Sequence, residues 1–135
     1  MNDCIFCKII SKEIPADIIY EDDHVISFLD IKGLNPGHSL VIPKKHCENI
    51  YSFDSETAQQ VFTVVPVIAR AIKQAVDANG INIGMNNEIA AGQAVFHAHV
   101  HVIPRYRNDG YQLWEGKPVS HEVSQDIADK IKKAL

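Results

Sequence analysis

Three histidines stand at alternate positions in Phe96-His97-Ala98-His99-Val100-His101-Val102-Ile103. A period of two predicts a β-strand over these residues, with the three imidazoles on one face and Phe96, Ala98, Val100 and Val102 packed on the other. Imidazole has an unperturbed pKa of about 6.5, so near neutral pH one ring can attack an electrophile while a neighbour donates to developing negative charge. Adjacent like groups also resist simultaneous protonation. Two alternatives are a polar cavity lined by histidines and an ordinary three-histidine metal centre. Residues two apart lie about 6.6 Å apart along a strand, so three such rings reach a single ion only awkwardly. Nucleophilic and acid–base chemistry suits the pattern better.

Other elements must hold that strand in place. Ile18–Glu21 and Val25–Leu29 are β-branched or aromatic runs separated by Asp22-Asp23-His24, the pattern of a hairpin. A turn at Asn35-Pro36-Gly37 leads to a third strand, Ser39–Ile42, stopped by Pro43, which has no amide for a central ladder. Asp54 or Ser55 can cap a long helix whose apolar stripe is Ala58, Val61, Phe62, Val65, Ile68, Ala69, Ile72 and Val76. Pro66 predicts a kink in it, and Asn79-Gly80 its end. A fourth strand follows over Ile81–Asn86, and a loop through Ala90-Ala91-Gly92-Gln93 enters the histidine strand, which Pro104 and Arg105 should end. A short capped helix is expected from Ser120-His121-Glu122-Val123.

The whole chain limits the partners. Its 135 residues form one domain, and the 46% hydrophobic content supplies a core without a disulfide framework. The net charge of -4, with Lys and Arg scattered, gives no footprint for a long nucleic acid but leaves room for a small phosphate-bearing ligand. The best apolar run, Val61–Ile72, is broken by Thr63, Pro66 and Arg70, so no membrane span is expected. The start Met1-Asn2-Asp3-Cys4 lacks the basic segment and apolar core of a secretory signal, and the odd cysteine count of three suits a reducing compartment. Both point to a cytoplasmic protein.

His97-Ala98-His99-Val100-His101-Val102-Ile103 closely resembles the signature of the histidine-triad family, His-x-His-x-His followed by two apolar residues. Further segments look like family segments in family order: Ile5–Ile10 with Ile14-Pro15, Phe28–Ile31, Gly37–His46 and Gly92–Val95. Together they cover roughly residues 4–104, and their order makes chance agreement improbable. The tail over 105–135 is outside the core that these motifs cover, since nothing beyond Arg107 resembles the family. The likeness is to the Hint-like, bacterial Hit branch. It implies an α+β fold: a five-stranded antiparallel sheet with one long helix and short helices, dimerising through that helix and a neighbouring strand. It also implies a nucleotide hydrolase or transferase that cleaves at the α-phosphorus of a nucleoside phosphoramidate or dinucleoside polyphosphate.

Carried over residue by residue, the resemblance makes His99 the nucleophile and His101 and His38 donors to the phosphate oxygens. One nitrogen of His99 must then be bare, the other held as a donor, for example by a backbone carbonyl. Gly92, Gln93, Ala94 and Val95 fall on the family's phosphate loop, with Gln93 as a side-chain donor. Asp30 falls on the ribose position, Asn86 on a ribose or phosphate contact, and Ile5, Phe6, Ile9, Ile14 and Ile31 on the cleft for a purine base. Ala94 departs from the many relatives with Ser or Thr there, which removes one donor and puts the usual phosphoramidate preference in question.

Cys4-x-x-Cys7 is half of a zinc site, or else two small buried thiols. Some family branches complete such a site, which here implies His46 and His97 and a structural Zn2+ beside the nucleophile. Cys47 has no assigned role, His24 and His121 read as surface, and Trp114 could reach a subunit interface or the cleft mouth. A noncatalytic purine-nucleotide-binding or interaction module on the same scaffold is the alternative to an enzyme.

Overall fold

In the computed structural model, which describes residues 3–135, ten elements follow one another in the chain. They are α1 (Ile5–Ile10), β1 (Ile18–Glu21), β2 (Val25–Leu29), β3 (Ser39–Pro43), a 3-10 turn (Ile50–Ser52), α2 (Ser55–Ala75), β4 (Gly80–Gly84), a second 3-10 turn (Ile89–Ala91), β5 (Val100–Arg105) and α3 (His121–Ala134). The strands form one antiparallel sheet in the order β1-β2-β3-β5-β4. This is the α+β architecture expected from the sequence.

Alternation along the strands sends side chains to two different partners. Val25 and Val41 of the sheet, with Val100 and Val102 of β5, pack against Val61, Val64, Val65, Ile68 and Ile72 of α2. On the opposite face, Ile26, Phe28, Leu40 and Ile42 pack against Phe6 and Ile9 of α1. Leu40 pairs with His101, so His101 shares the α1 face.

Asp54 caps α2, its Oδ1 accepting from the Thr57 amide at 2.7 Å. The helix continues through Pro66, which lies on its exposed side. It ends at Ala75, earlier than Asn79-Gly80, because Asp77 adopts a left-handed φ of 52° and the Ala78 amide folds back to the Lys73 carbonyl. Phe62, expected in the buried stripe, is 42% exposed, and Val64 takes the inward position. The helix expected near Ser120 is present and longer than expected: Ser120 caps α3, which runs for 14 residues with no buried side chain. No helix of the described residues is long and apolar enough to cross a membrane.

The histidine strand differs most from expectation, since β5 covers Val100–Arg105 rather than 96–103. Its ladder with β3 runs from Ser39↔Val102 to Val41↔Val100 and stops short of Pro43, which has no amide to extend it. The chain before Val100 docks differently, the Ala98 amide donating to the Cys47 carbonyl at 2.7 Å. At the other end only β4 flanks β5, so Pro104 pairs with Ile81 where its missing amide costs nothing. Phe96 lies outside the ladder and is 38% exposed, not packed.

Ile68 is buried against the sheet, so Ile68→Ala should destabilise the fold by about 2–4 kcal/mol through lost contacts and a cavity. Asp54→Ala should cost clearly less than this, through the lost cap. Urea midpoints of the two variants and the wild type check both effects, and an equal cost for the two would contradict this assignment of core and cap.

Candidate active site and metal-ligand cluster

Four imidazoles gather on the α1 face of the sheet, and the partner of each ring nitrogen assigns its tautomer. His99 Nδ1 lies 2.7 Å from the His97 carbonyl, which can only accept, so Nδ1 carries the proton. His99 Nε2 is therefore bare. It has no hydrogen-bond partner among the described residues, where no buried side-chain nitrogen or oxygen lacks one, so it is open to solvent although His99 is only 7% exposed. The ring stands 5.0 Å from that of His101 and 5.2 Å from that of Phe6, edge to face in both cases.

The same logic runs through His38 and His101. The Leu34 amide donates to His38 Nδ1 at 2.9 Å, which leaves the His38 proton on Nε2. That proton is donated to His101 Nδ1, also at 2.9 Å, and His101 must carry its own proton on Nε2. His38 therefore has no free donor, which corrects the expectation that it faces phosphate directly: both of its nitrogens are engaged, one by the Leu34 amide and one by His101. Asp30 is nearby, its Oδ2 3.7 Å from His38 Nε2, and its amide donates to the His38 carbonyl at 2.8 Å.

Burial dominates the ionisation of these rings. It pushes His101 down to about 4, with the neighbouring His99 and His38 adding to the effect. His99 and His38 are also lowered by burial, partly offset by the hydrogen bond to the His97 carbonyl for His99 and by the charge of Asp30 for both. All three are neutral at pH 7, the form in which one can attack and another can donate.

His97 belongs to a different cluster. Its Nε2 donates to the Pro43 carbonyl at 2.8 Å, so Nδ1 is bare and faces the thiols of Cys4 at 3.5 Å and Cys7 at 3.6 Å. Cys7 Sγ lies 3.3 Å from His46 Nδ1, and one ligand atom of each of the four residues falls within 4.8 Å of the others. In a tetrahedral zinc centre, bonds of about 2.3 Å to sulfur and 2.05 Å to nitrogen give S–N edges of about 3.6 Å. These side chains fit that geometry. A backbone carbonyl behind a ligating imidazole is the usual means of fixing its tautomer. Thus two of the three alternating histidines, His99 and His101, lie with His38, while the first turns to the cluster of Cys4, Cys7 and His46.

The remaining expected residues divide. Gly92 is left-handed, with φ of 91°, and its carbonyl is 3.5 Å from Asn86 Nδ2. Gln93 is buried and already engaged: Nε2 donates to the Glu48 and Val95 carbonyls, and Oε1 accepts from the Glu88 amide. It braces the loop and has no free hydrogen for a phosphate, contrary to expectation. Ala94 and Val95 line a cavity of about 430 Å³ with Cys4, Ile5 and His46. Phe6 and Ile9 are core residues, and Ile14 packs at the edge of the same cluster. Ile5 is exposed, and Ile31 is 91% exposed, so a cleft for a base has these two at an open rim. The carbonyls of His97 and Pro43 and the amide of Leu34 had no signature in the sequence, because main-chain partners carry no side-chain pattern.

Comparison with known proteins agrees with this geometry. A family model described as HIT domain matches residues 11–108. The chain is 48% identical over 138 residues to "Protein hit" of Bacillus subtilis, covering 99% of this chain and 95% of that one. It is 43% identical over 126 residues to the adenylylsulfatase HINT3 of Arabidopsis thaliana, covering 93% of this chain and 63% of the relative. A crystal structure of a HIT family member from Bacillus subtilis superposes with a TM-score of 0.94 at 47% identity, over 98% of this chain and 97% of that one. A zinc-bound histidine triad family protein from Mycobacterium smegmatis gives 0.78 at 36% identity, over 99% of each chain.

The displaced ionisation of His101 has a direct consequence. Its folded pKa of about 4 lies below the unfolded value of about 6.5, so the unfolded chain takes up the proton first. The stability it contributes is complete above about pH 6.5 and is lost as pH falls towards 4. An NMR titration should give a His101 midpoint near 4, and His101→Gln should flatten part of the fall in urea stability over that range. A His101 midpoint above 6 would contradict the buried neutral ring.

Proposed function

The chain belongs to the HIT family, and from that premise we propose that it is a nucleotide hydrolase or transferase working at the α-phosphorus of a purine nucleoside phosphoramidate or dinucleoside polyphosphate. The observation that carries this reading is the hydrogen bond from His99 Nδ1 to the His97 carbonyl, which presents a bare Nε2 to solvent beside a protonated His101 Nε2. In the first step His99 Nε2 forms a bond to phosphorus, and the bond to the leaving group breaks with its electron pair. His101 Nε2–H donates to the phosphate oxygens as charge builds on them. The departing group takes up a proton from solvent; water then attacks the nucleotidyl-histidine and returns one proton to solvent, releasing the nucleoside monophosphate and restoring neutral His99. In this reading Asp30 accepts from ribose hydroxyls, and Asn86 and the loop backbone at Ala94 and Val95 meet the phosphates, since the Gly92 and Gln93 amides already donate to Ile89 and Glu88. Phe6, Ile9 and Ile14 back a purine against the rim of Ile5 and Ile31.

We further propose that Cys4, Cys7, His46 and His97 hold a structural Zn2+. The support is their donor set and spacing, together with a zinc-bound relative of 36% identity. When bound, zinc would tie α1 to the segment that bears the nucleophile, closing the coordination shell with protein ligands and leaving no position for substrate. A homodimer is the assembly expected for this fold.

Incubation with a nucleoside phosphoramidate or dinucleoside polyphosphate labelled at the α-phosphorus should leave an acid-labile label on His99. His99→Ala should abolish the label and lower turnover roughly 1000-fold or more. Binding without label or turnover in the wild type would instead establish the noncatalytic module. Metal analysis should find about one zinc per chain in the wild type and much less in Cys7→Ser. Negligible zinc in both proteins would refute the metal site.

A further inference from the structure

Beyond β5, outside the residues that match the family model, the chain returns to the loop bearing Asp30 and His38. Arg105 anchors this return. Its Nε and Nη2 donate to the Asp109 carboxylate at 2.7 and 3.0 Å, and its Nη1 donates to Asn82 Oδ1 at 2.6 Å. The same carboxylate accepts from the amides of Tyr106 and Tyr111 and from Asn35 Nδ2, each at 3.1 Å, and Asn35 Nδ2 also reaches the Pro104 carbonyl at 2.9 Å. Tyr111 is thereby fixed on three sides. Its amide is on Asp109, its carbonyl accepts from Arg105 Nη2 at 3.0 Å, and its ring lies 5.7 Å from the guanidinium. Its hydroxyl donates to the Leu34 carbonyl at 2.9 Å.

Leu34 is held at both ends, because its amide is the donor to His38 Nδ1. We propose that Tyr111 is a positioning residue that fixes Leu34, and through the Leu34 amide and His38 keeps the His101 proton on Nε2, where a phosphate can use it. An exposed loop residue without such a tie samples other orientations. If the Leu34 amide turned away, His38 could place its proton on either nitrogen, and His101 would follow. With its proton on Nδ1, His101 would present a bare, electron-rich nitrogen to the phosphate. Loop crowding adds to the control, since a Cβ on Gly33 would lie 2.7 Å from His38 Cβ. The part of this inference that concerns catalysis rests on the proposed role of His101; the part that concerns tautomers does not.

The test uses full-length Tyr111→Phe, with Asp109→Asn as a second variant that loosens Arg105 and the tyrosine together. Imidazole nitrogen NMR of the free proteins should show His38 and His101 moving from single tautomers towards averaged ones, with thermal midpoints close to the wild type for Tyr111→Phe. Turnover should fall about 10-fold with KM within about twofold, the pattern of a donor lost from the transition state. Unchanged His38 and His101 tautomers in folded Tyr111→Phe would overturn the inference. Altered tautomers with unchanged turnover would uphold the positioning and overturn the donor role of His101.

Discussion

The site depends on one constraint: a neutral imidazole has a single proton, and whatever binds one nitrogen decides what the other can do. Three histidines here, His38, His97 and His99, are each committed at one nitrogen by a main-chain neighbour with no choice of role. The carbonyls of His97 and Pro43 can only accept, and the amide of Leu34 can only donate. His101 inherits its state from His38. Burial keeps the rings neutral, so these local commitments persist across neutral pH. The chemistry follows from backbone placement as much as from the choice of histidine.

His97 joins two functions that the alternating pattern treats alike. Its side chain faces the thiols of Cys4 and Cys7, and its carbonyl holds the ring of His99. Any shift of the Cys4, Cys7, His46 and His97 cluster therefore reaches the His99 ring directly through His97. Phe6 adds a second route, because it lies between Cys4 and Cys7 in sequence and meets the rings of both His97 and His99 edge to face. The two core clusters fix this arrangement from opposite sides of the sheet.

Much of this was legible in the sequence where side-chain pattern decides structure. The first hairpin, the start of β3, the Asp54 cap and most of the α2 stripe follow from alternation, capping and helical spacing, and lie where those patterns place them. In the cluster of Cys4, Cys7, His46 and His97, spacing marks the cysteine pair but only the family resemblance supplies the two histidines, which lie 39 or more residues from it. Misreadings arose where tertiary context decides. Phe62 and Phe96 are apolar yet face outward, and β5 is displaced because its neighbour ends in proline. The family resemblance assigns Gln93 and His38 to phosphate, whereas their hydrogen bonds are already spent within the protein.

The strand order also bears on when the site can come into being. β5 is inserted between β3 and β4, and β4 has no other neighbour in the sheet. During synthesis a chain that ends at Gly84 can form the β1-β2-β3 meander, but β4 must wait undocked until the segment carrying the histidines emerges. Closing that long loop is the entropically costly step of assembly. The same event completes the hydrogen-bonded ladder and delivers His99 and His101 to His38, so a nascent chain gains its finished sheet and its histidine cluster together.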